Sequence, residues 1–444
     1  MPQTAKTLQI ITLGCSKNRV DTEHILSQCE GIYDIIPETE TVPFVDCLLI
    51  NTCGFIGDAK EESISYILEA VQRKNRGEAG QVIVFGCLSE RYKDEMPELI
   101  PEVDAWFGAV DFRPLIEYIG IEYNEKWETG RLLTTPSHYA YLKISEGCDR
   151  RCSYCAIPFI RGRHKSVPME ELVQEAAMLA AKGVRELIII AQDTTYYGLD
   201  LYRRRALAEL LQKLSDVEGI EWIRIHYSYP ADFPDDVLQQ MADNPKVCRY
   251  MDIPLQHISD PVLSAMRRNV DGAWTRALIG KMRDRVPGVV LRTTMIVGHP
   301  GEGEKEFEEL LDFVGQARFE RLGAFAYSEE EGTYGAENFS DDIPQDNKQE
   351  RLDALMELQK GISLTFNQSR VGKEEKVIVD DYSDGVFVCR SEFESPEVDG
   401  EILVKYESGI FDNVDPWSVV GDFINVRITA ADEYDLTAEF INYC

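Results

Sequence analysis

Short apolar runs alternate with longer amphipathic stretches along the first part of the chain. The apolar runs have the length of buried strands and lie at residues 8–13, 47–51 and 81–85. The amphipathic stretches between them have helical spacing and lie at residues 21–29 and 59–74. This order of strands and helices predicts an open α/β sheet, and we assign residues 1–130 to this N-terminal domain.

Six further units of strand and helix follow between residue 138 and residue 366. The six apolar runs lie at residues 141–144, 186–191, 222–227, 250–255, 289–297 and 322–327. Amphipathic helices separate them, among them residues 169–181, 235–241 and 304–316. Six successive β/α units predict a parallel (β/α)6 barrel, complete or partial, with its active site at the C-terminal ends of the strands. A long helix at 346–366 closes this domain.

The pattern changes after residue 366 to short strands separated by turn residues. The strands are predicted at residues 375–379, 386–390, 402–406, 423–430 and 434–441. Aspartate–glycine pairs at 384–385 and 399–400 mark the turns. Residues 367–444 therefore predict a C-terminal domain that is a small antiparallel β-barrel.

The charge balance narrows the class of partner. The 444 residues include 46 Lys and Arg against 78 Asp and Glu, a net charge of −32. Such a surface repels phosphate backbones, so we expect little direct nucleic-acid binding and a basic protein partner, although solubility alone also explains the acidity. No apolar stretch reaches the roughly 18–20 residues that span a bilayer, and no signal-peptide pattern is present, so we expect a cytoplasmic protein.

Three of the eleven cysteines are closely spaced after a predicted strand, at Cys148, Cys152 and Cys155. Three thiolates at this spacing can hold a 4Fe–4S cluster whose fourth iron has no protein ligand. An open iron suits a chelating amino acid such as the methionine part of S-adenosylmethionine, and we expect Tyr154 to pack on its adenine. The alternatives are zinc with His164 as fourth ligand, or a ferredoxin-like cluster, which requires a fourth cysteine nearby.

A second set of cysteines is dispersed along the N-terminal domain. Cys15, Cys53 and Cys87 each follow a predicted strand and have a glycine beside them. The C-terminal ends of parallel strands meet in one crevice, where ligands bind. We therefore predict a second three-cysteine cluster with an open iron, the alternative being three buried structural thiols. The other five cysteines are interpreted as structural.

Polar residues at other strand ends are weaker candidates. Gln192 and Asp193 follow the second strand of the predicted barrel, where they are expected to hold the amino group or ribose of the cofactor. The basic stretch at residues 161–165 either contacts a carboxylate of the substrate or cofactor or forms a solvated loop.

The Cys-x3-Cys-x2-Cys motif with Tyr154 resembles the radical S-adenosylmethionine superfamily. Cys15, Cys53 and Cys87, together with a C-terminal barrel of the kind called TRAM, resemble the methylthiotransferases of that superfamily along nearly the whole chain. The segment at residues 14–21, which has Ser-Lys-Asn after its cysteine, is more similar to the branch that modifies an aspartate of small-subunit ribosomal protein S-twelve. The tRNA-modifying branch typically has Gln-Met-Asn there.

The resemblance implies two [4Fe-4S] clusters and S-adenosyl-L-methionine as cofactors, with the six cysteines as catalytic metal ligands. It implies that the cluster on Cys148, Cys152 and Cys155 generates a 5′-deoxyadenosyl radical, which takes a hydrogen from the aspartate β-carbon. The other cluster then delivers a methylthio group. An electron donor such as flavodoxin or ferredoxin is expected as a further partner. The resemblance leaves open a tRNA adenosine methylthiotransferase or a non-catalytic iron–sulfur electron-transfer protein.

Charge bears on the choice between these substrates. From residue 370 to the end there are 6 Lys and Arg against 18 Asp and Glu, a net of −12. A barrel this acidic is expected to bind tRNA poorly, because neutralisation of phosphates drives that binding. A basic ribosomal protein is the better electrostatic partner.

Overall fold

A computed structural model describes residues 6–125, 130–407 and 414–444. Its first part is a five-stranded, fully parallel sheet. In spatial order the strands are Asp34–Ile36, Thr7–Thr12, Val45–Thr52, Ala79–Gly86 and Ala105–Trp106. The helices of this part are Ser16–Cys29, Gly57–Asn75, Cys87–Arg91, Met96–Leu99 and Arg113–Tyr118. The three predicted strands are confirmed, and the two edge strands were missed because they are only three and two residues long.

The second part is a six-stranded parallel sheet whose strands lie side by side in chain order. They are Tyr139–Lys143, Glu186–Ile190, Trp222–Ile225, Val247–Asp252, Val290–Val297 and Arg321–Ala326. Within the described residues the first and last strands do not pair, so the sheet is a partial (β/α)6 barrel with one concave face. A two-residue antiparallel ladder joins Ser145–Glu146 to Lys165–Ser166.

Helices cover the convex face of this sheet and bury the largest apolar core of the molecule. They include Met169–Ala181, Leu207–Ser215, Asp235–Asp243, Gly272–Arg285, Glu304–Ala317 and Gln345–Gln368. Shorter helices are Ile157–Ile160, Asp260–Ala265 and Tyr334–Asn338, with 3-10 turns at Thr194–Tyr196 and Pro416–Val419. In helix Met169–Ala181 the side chains of Leu172, Ala176 and Leu179 share one buried face. This helical periodicity made the bounds of the helix predictable. No helix in the described ranges has both the length and the apolar character to cross a membrane.

The third part is a closed five-stranded barrel. Its strands are Glu374–Ser383, Val386–Ser391, Ile402–Lys405, Phe423–Ala431 and Leu436–Tyr443. The predicted small barrel is confirmed, but it is not antiparallel throughout, because the third and fifth strands pair in parallel. The parallel pairing arises because the fourth strand, antiparallel to the fifth, lies between them in the chain.

One segment of this barrel enters the concave face of the central sheet. This wedge segment, residues 391–399, places Ser395 Oγ 3.0 Å from His226 Nε2. Asp399 accepts a hydrogen bond from the Tyr250 hydroxyl at 2.7 Å. The wedge segment therefore fills part of the concave face and reaches His226, which directly follows the strand Trp222–Ile225.

Buried ion pairs fasten the barrel to the central sheet. The Glu394 carboxylate accepts hydrogen bonds from Arg321, at 2.8 Å, and from Arg370. The Glu186 carboxylate likewise pairs with Arg224 and Arg390, at 2.8 Å in each case. Each carboxylate contacts two guanidinium groups, and these contacts offset the cost of burying its charge. Removing either guanidinium would therefore destabilise the protein.

Candidate functional site

Cys15, Cys53 and Cys87, the N-terminal trio, lie at the C-terminal ends of three adjacent strands. Cys15 immediately precedes helix Ser16–Cys29, and Cys87 begins the helix Cys87–Arg91. Gly14 has a φ of +91°, and a Cβ built on it would lie 2.7 Å from Cys53 Cβ. Only glycine allows this approach of the strand ends, so the glycine beside the first cysteine is required by packing.

Asn18 holds the strand ends of the N-terminal trio together. Its Nδ2 donates to the carbonyl oxygens of Leu13, at 2.9 Å, and Thr52, at 3.0 Å. Its Oδ1 lies 3.7 Å from Cys87 Sγ. The residue thus ties the three cysteine-bearing loops into one crevice, as the sequence pattern predicts.

Cys148, Cys152 and Cys155, the central trio, lie in the loop between Ser145–Glu146 and Ile157–Ile160. Cys148 Sγ accepts a hydrogen bond from the Arg150 backbone N–H at 3.4 Å. Cys152 Sγ accepts one from Arg268 Nη1 at 3.4 Å. Burial raises the pKa of the Cys148 thiol to about 12, so an iron or other cation is needed to hold it as a thiolate at neutral pH.

The two alternatives for the central trio depend on a fourth protein ligand. His164 is buried, with Nε2 3.0 Å from Ser166 Oγ and 3.7 Å from Asp200 Oδ1, while its buried Nδ1 has no hydrogen-bond partner. Cys248 packs at the base of the concave face with Trp222. All eleven cysteines are free thiols, and no three His, Cys, Asp or Glu side chains of the described chain converge on one ion. Thiolates that bind different irons of one cluster stand farther apart than the ligands of a single zinc.

Arg161 contacts the N-terminal trio and belongs to the segment that follows the central trio. It follows the short helix after Cys155, and it donates to Cys87 Sγ from Nε at 3.3 Å and from Nη2 at 3.2 Å. The same guanidinium donates to Asn18 Oδ1 at 2.7 Å and to Asp21 Oδ2 at 2.8 Å. The basic stretch therefore divides: Arg161 is a buried part of the site, and Arg163 is a solvated residue with its side chain 90% exposed.

The three predicted cofactor contacts lie beside the central trio but are engaged with protein groups. Tyr154 accepts a hydrogen bond from Arg268 at 3.2 Å. Gln192 donates to Glu146 at 2.7 Å, and its buried Oε1 has no hydrogen-bond partner. Asp193 accepts from Arg150 Nε at 2.8 Å. Contacts of these residues with a cofactor remain predictions.

Sequence reasoning missed Arg268 as a part of the site. Besides its bonds to Cys152 and Tyr154, its guanidinium lies 4.3 Å from the ring centroid of Tyr229. The Tyr229 hydroxyl in turn donates to the Arg268 carbonyl at 2.7 Å. No local signal marks this arginine, which lies more than 100 residues beyond the cysteine it contacts.

Comparisons with known proteins agree with the three-part architecture. Residues 142–314 match the model of the radical SAM superfamily, residues 371–441 match the TRAM domain, and residues 7–108 match the uncharacterized protein family UPF0004. A ribosomal protein uS12 methylthiotransferase RimO of Bacteroides fragilis is 52% identical over 437 residues, covering 98% of this chain and 99% of the relative. The chain belongs to the RimO family. RimO proteins of Porphyromonas gingivalis and Cytophaga hutchinsonii are 51% and 49% identical, each with 98% of this chain covered and 99% and 98% of the relative.

Solved structures place the fold of this RimO family member among radical enzymes. The methyltransferase TsrM from Kitasatospora setae, with cobalamin and a [4Fe-4S] cluster bound, matches with a TM-score of 0.53 at 12% identity. That match covers 87% of this chain and 77% of TsrM. At this identity the likeness concerns the fold alone, and it confirms the predicted α/β architecture.

Proposed function

We propose that the chain is a radical S-adenosylmethionine methylthiotransferase that adds a methylthio group to the β-carbon of an aspartate in ribosomal protein uS12. The observation that carries the proposal is the identity of about half of all residues, along nearly the full length, to RimO proteins. The structure supports it with two sets of three free thiols, and Arg161 contacts the first set at Cys87.

The two trios fit two [4Fe-4S] clusters. Each set has three free thiols. Next to Cys53, a Cβ on Gly54 would lie 2.6 Å from Leu88 Cα, so the loop leaves no room for a side chain where a cluster needs close backbone approach. We assign the N-terminal trio to one cluster and the central trio to the other. When bound, the clusters and S-adenosylmethionine supply the electron, the carbon-centred radical and the methylthio group of the reaction.

The protein supplies charge and shape around these groups. Arg161 directs two N–H donors at Cys87, and Arg268 directs one at Cys152, so each trio has a thiolate stabilised by a buried cation. Donors of this kind tune the reduction potential of a bound cluster. The wedge segment fills part of the concave face, where Ser395 contacts His226 and Asp399 accepts a hydrogen bond from Tyr250.

Further parts of the proposal concern partners and location. Because the cleavage of S-adenosylmethionine consumes an electron, we include a donor such as flavodoxin or ferredoxin. The net charge of −12 after residue 369 favours a basic ribosomal protein over tRNA as the bound substrate. A cytoplasmic location is part of the proposal, because a ribosomal substrate is made and assembled there. The domain bounds 1–130, 138–366 and 367–444 belong to the same proposal.

The proposal is tested by anaerobic reconstitution of the protein with iron and sulfide, followed by dithionite, S-adenosylmethionine and purified uS12. We expect 5′-deoxyadenosine by chromatography and a methylthio mass gain on one aspartate of uS12 by mass spectrometry. About eight irons per chain are expected, falling to about four in Cys87→Ala or in Cys155→Ala. Cys444→Ala, at an exposed and isolated cysteine, is the matched control and should retain both iron and activity.

The outcomes separate the candidate functions. If 5′-deoxyadenosine forms and uS12 stays unmodified, the substrate is wrong, and tRNA is tested in the same reaction. If both clusters are verified and reduced but no 5′-deoxyadenosine forms, the radical mechanism is refuted and an electron-transfer role is favoured. If Cys87→Ala keeps the iron content of the unaltered protein, the assignment of the N-terminal trio is wrong.

A further inference from the structure

Lys17 is a buried cation without an anionic partner. It lies in the first turn of helix Ser16–Cys29, two residues after Cys15, and is 9% exposed. Its Nζ lies 3.1 Å from the ring centroid of Tyr227, and within the described ranges it makes no hydrogen bond or ion pair. Lys348 is the comparable buried lysine, and it donates to the carbonyl oxygen of Tyr327 and to Asp341.

The ammonium group of Lys17 has N–H donors that no protein acceptor takes up within the described ranges. The Tyr227 ring covers one side of Nζ, whereas an ammonium group has three N–H donors. The remaining donors are available to a ligand.

The position of Lys17 is fixed by its aromatic partner. Tyr227 follows the strand Trp222–Ile225 and has a φ of +58°, a conformation that a tyrosine rarely adopts. Its backbone N–H donates to Asp252 Oδ2 at 2.9 Å, and its carbonyl accepts from the Thr194 backbone N–H at 3.1 Å. A strained residue held by two hydrogen bonds indicates that the location of its ring matters.

Lys17 lies beside both the N-terminal trio and the concave face of the central sheet. One turn along the same helix, Val20 packs with Tyr139, Ile190 and Tyr227 in a cluster on the concave face of the central sheet. Cys15, at the other side of Lys17, belongs to the N-terminal trio. The ammonium group is therefore between the crevice of that trio and the strand ends of the central barrel, where ligands of such barrels bind.

We propose that Lys17 binds the side-chain carboxylate of the target aspartate, an inference that rests on the function proposed above. The carboxylate is bonded directly to the β-carbon, so an ion pair at the carboxylate holds the reacting carbon one bond away. An asparagine at the same place would leave the buried ammonium without its counter-charge. Lys17 thereby determines the specificity for aspartate over asparagine.

A double-mutant cycle on binding tests the assignment. The holoenzyme, with both clusters verified by electron paramagnetic resonance, is titrated anaerobically into fluorescently labelled uS12 and into uS12 with asparagine at the target position. We expect the unaltered enzyme to bind the aspartate form about tenfold more tightly or better, the scale of a lost charge-assisted hydrogen bond. Lys17→Met is expected to bind both forms equally, and Lys17→Arg to retain part of the preference.

Lys93→Met is the matched control, because Lys93 is exposed in the same N-terminal part, and it should keep the full preference. Equal binding of the two uS12 forms by the unaltered enzyme overturns the inference without any enzyme variant. So does a full preference in Lys17→Met. If Lys17→Met instead weakens binding of S-adenosylmethionine and keeps the preference, the bound carboxylate is that of the cofactor and the inference is again wrong. Failure of the proposed function is recognised separately, since uS12 then gains no methylthio group from the unaltered enzyme.

Discussion

Replacing Arg161 with glutamine removes a buried guanidinium that contacts the N-terminal trio at Cys87. The side chain donates to Cys87 Sγ, to Asn18 Oδ1 and to the Ala109 carbonyl, the last at 2.7 Å. It also pairs with two acids, Asp21 at 2.8 Å and Glu146 at 3.2 Å. A glutamine amide is shorter and uncharged, so it cannot satisfy these acceptors together.

The loss in the free energy of unfolding depends on the buried carboxylates that remain after the substitution. Breaking a buried ion pair by removing one partner costs about 3–5 kcal/mol, because the remaining charge is uncompensated. Lys143 continues to contact both Asp21 and Glu146 after the substitution. We therefore expect the lower end of this range, a loss of about 3 kcal/mol in the free energy of unfolding.

Urea-induced unfolding of the cluster-free protein measures this loss without interference from iron. Arg163→Gln is the matched control, since that arginine is two residues away and exposed, and it should unfold like the unaltered protein. A loss below about 1 kcal/mol for Arg161→Gln would show that the buried ion pair contributes no more than a surface pair, and the reasoning would be refuted.

The same substitution has a second, spectroscopic consequence in the cluster-loaded protein. Because N–H donors to a ligand sulfur stabilise the reduced, more negative state, losing two of them shifts the midpoint potential of the N-terminal cluster to more negative values. Redox titration followed by electron paramagnetic resonance resolves this shift, and the cluster of the central trio serves as the internal reference. An unchanged potential in Arg161→Gln would contradict the assigned role.

Two further predictions concern the attachment of the C-terminal barrel. Glu394→Gln leaves Arg321 and Arg370 without their shared carboxylate. We therefore expect the free energy of unfolding to fall by about 3 kcal/mol and amide hydrogen exchange in the barrel strands to become faster. Unchanged exchange would contradict this expectation. Burial lowers the pKa of His226 to about 3, so below its unfolded value of about 6.5 only the unfolded state takes up the proton and folding is disfavoured. At pH 5 the free energy of unfolding is therefore about 2 kcal/mol lower than at pH 7 because of this histidine. Urea unfolding at pH 7 and pH 5 should show that His226→Asn loses this contribution to the pH dependence. Equal pH dependence of the two proteins would refute the assignment.

The location of the N-terminal trio could be predicted from the sequence because it depends on a local pattern and one general rule. Each cysteine follows an apolar run, and the C-terminal ends of parallel strands meet at one edge. The structure has the strands Thr7–Thr12, Val45–Thr52 and Ala79–Gly86 as neighbours, which is the arrangement that the rule requires. Strand alternation and helix periodicity likewise specified the three-part architecture.

The charged residues of the site could not be predicted in the same way, because their partners are remote in the chain. Arg161 contacts a cysteine 74 residues earlier, and Arg268 contacts one 116 residues earlier. Whether an arginine is buried or solvated then depends on how two sheets pack together, which no local pattern encodes. Arg161 and Arg163 illustrate this, since they are two residues apart in one basic stretch and have opposite environments.

Helix Ser16–Cys29 illustrates that the features that the sequence did not predict are the buried polar residues of the site. Its first turn was not predicted, since polar residues on nearly every side resemble a surface loop, yet most of the helix is buried. Three of its buried polar residues have specific partners: Asn18 bonds to the strand ends, Asp21 pairs with Arg161, and Glu23 pairs with Arg131. Lys17 contacts the Tyr227 ring but makes no hydrogen bond or ion pair within the described residues, and it is nearer to the first cysteine than the other three. A helix that satisfies its other buried charges so fully leaves one unsatisfied where a substrate carboxylate is expected to bind.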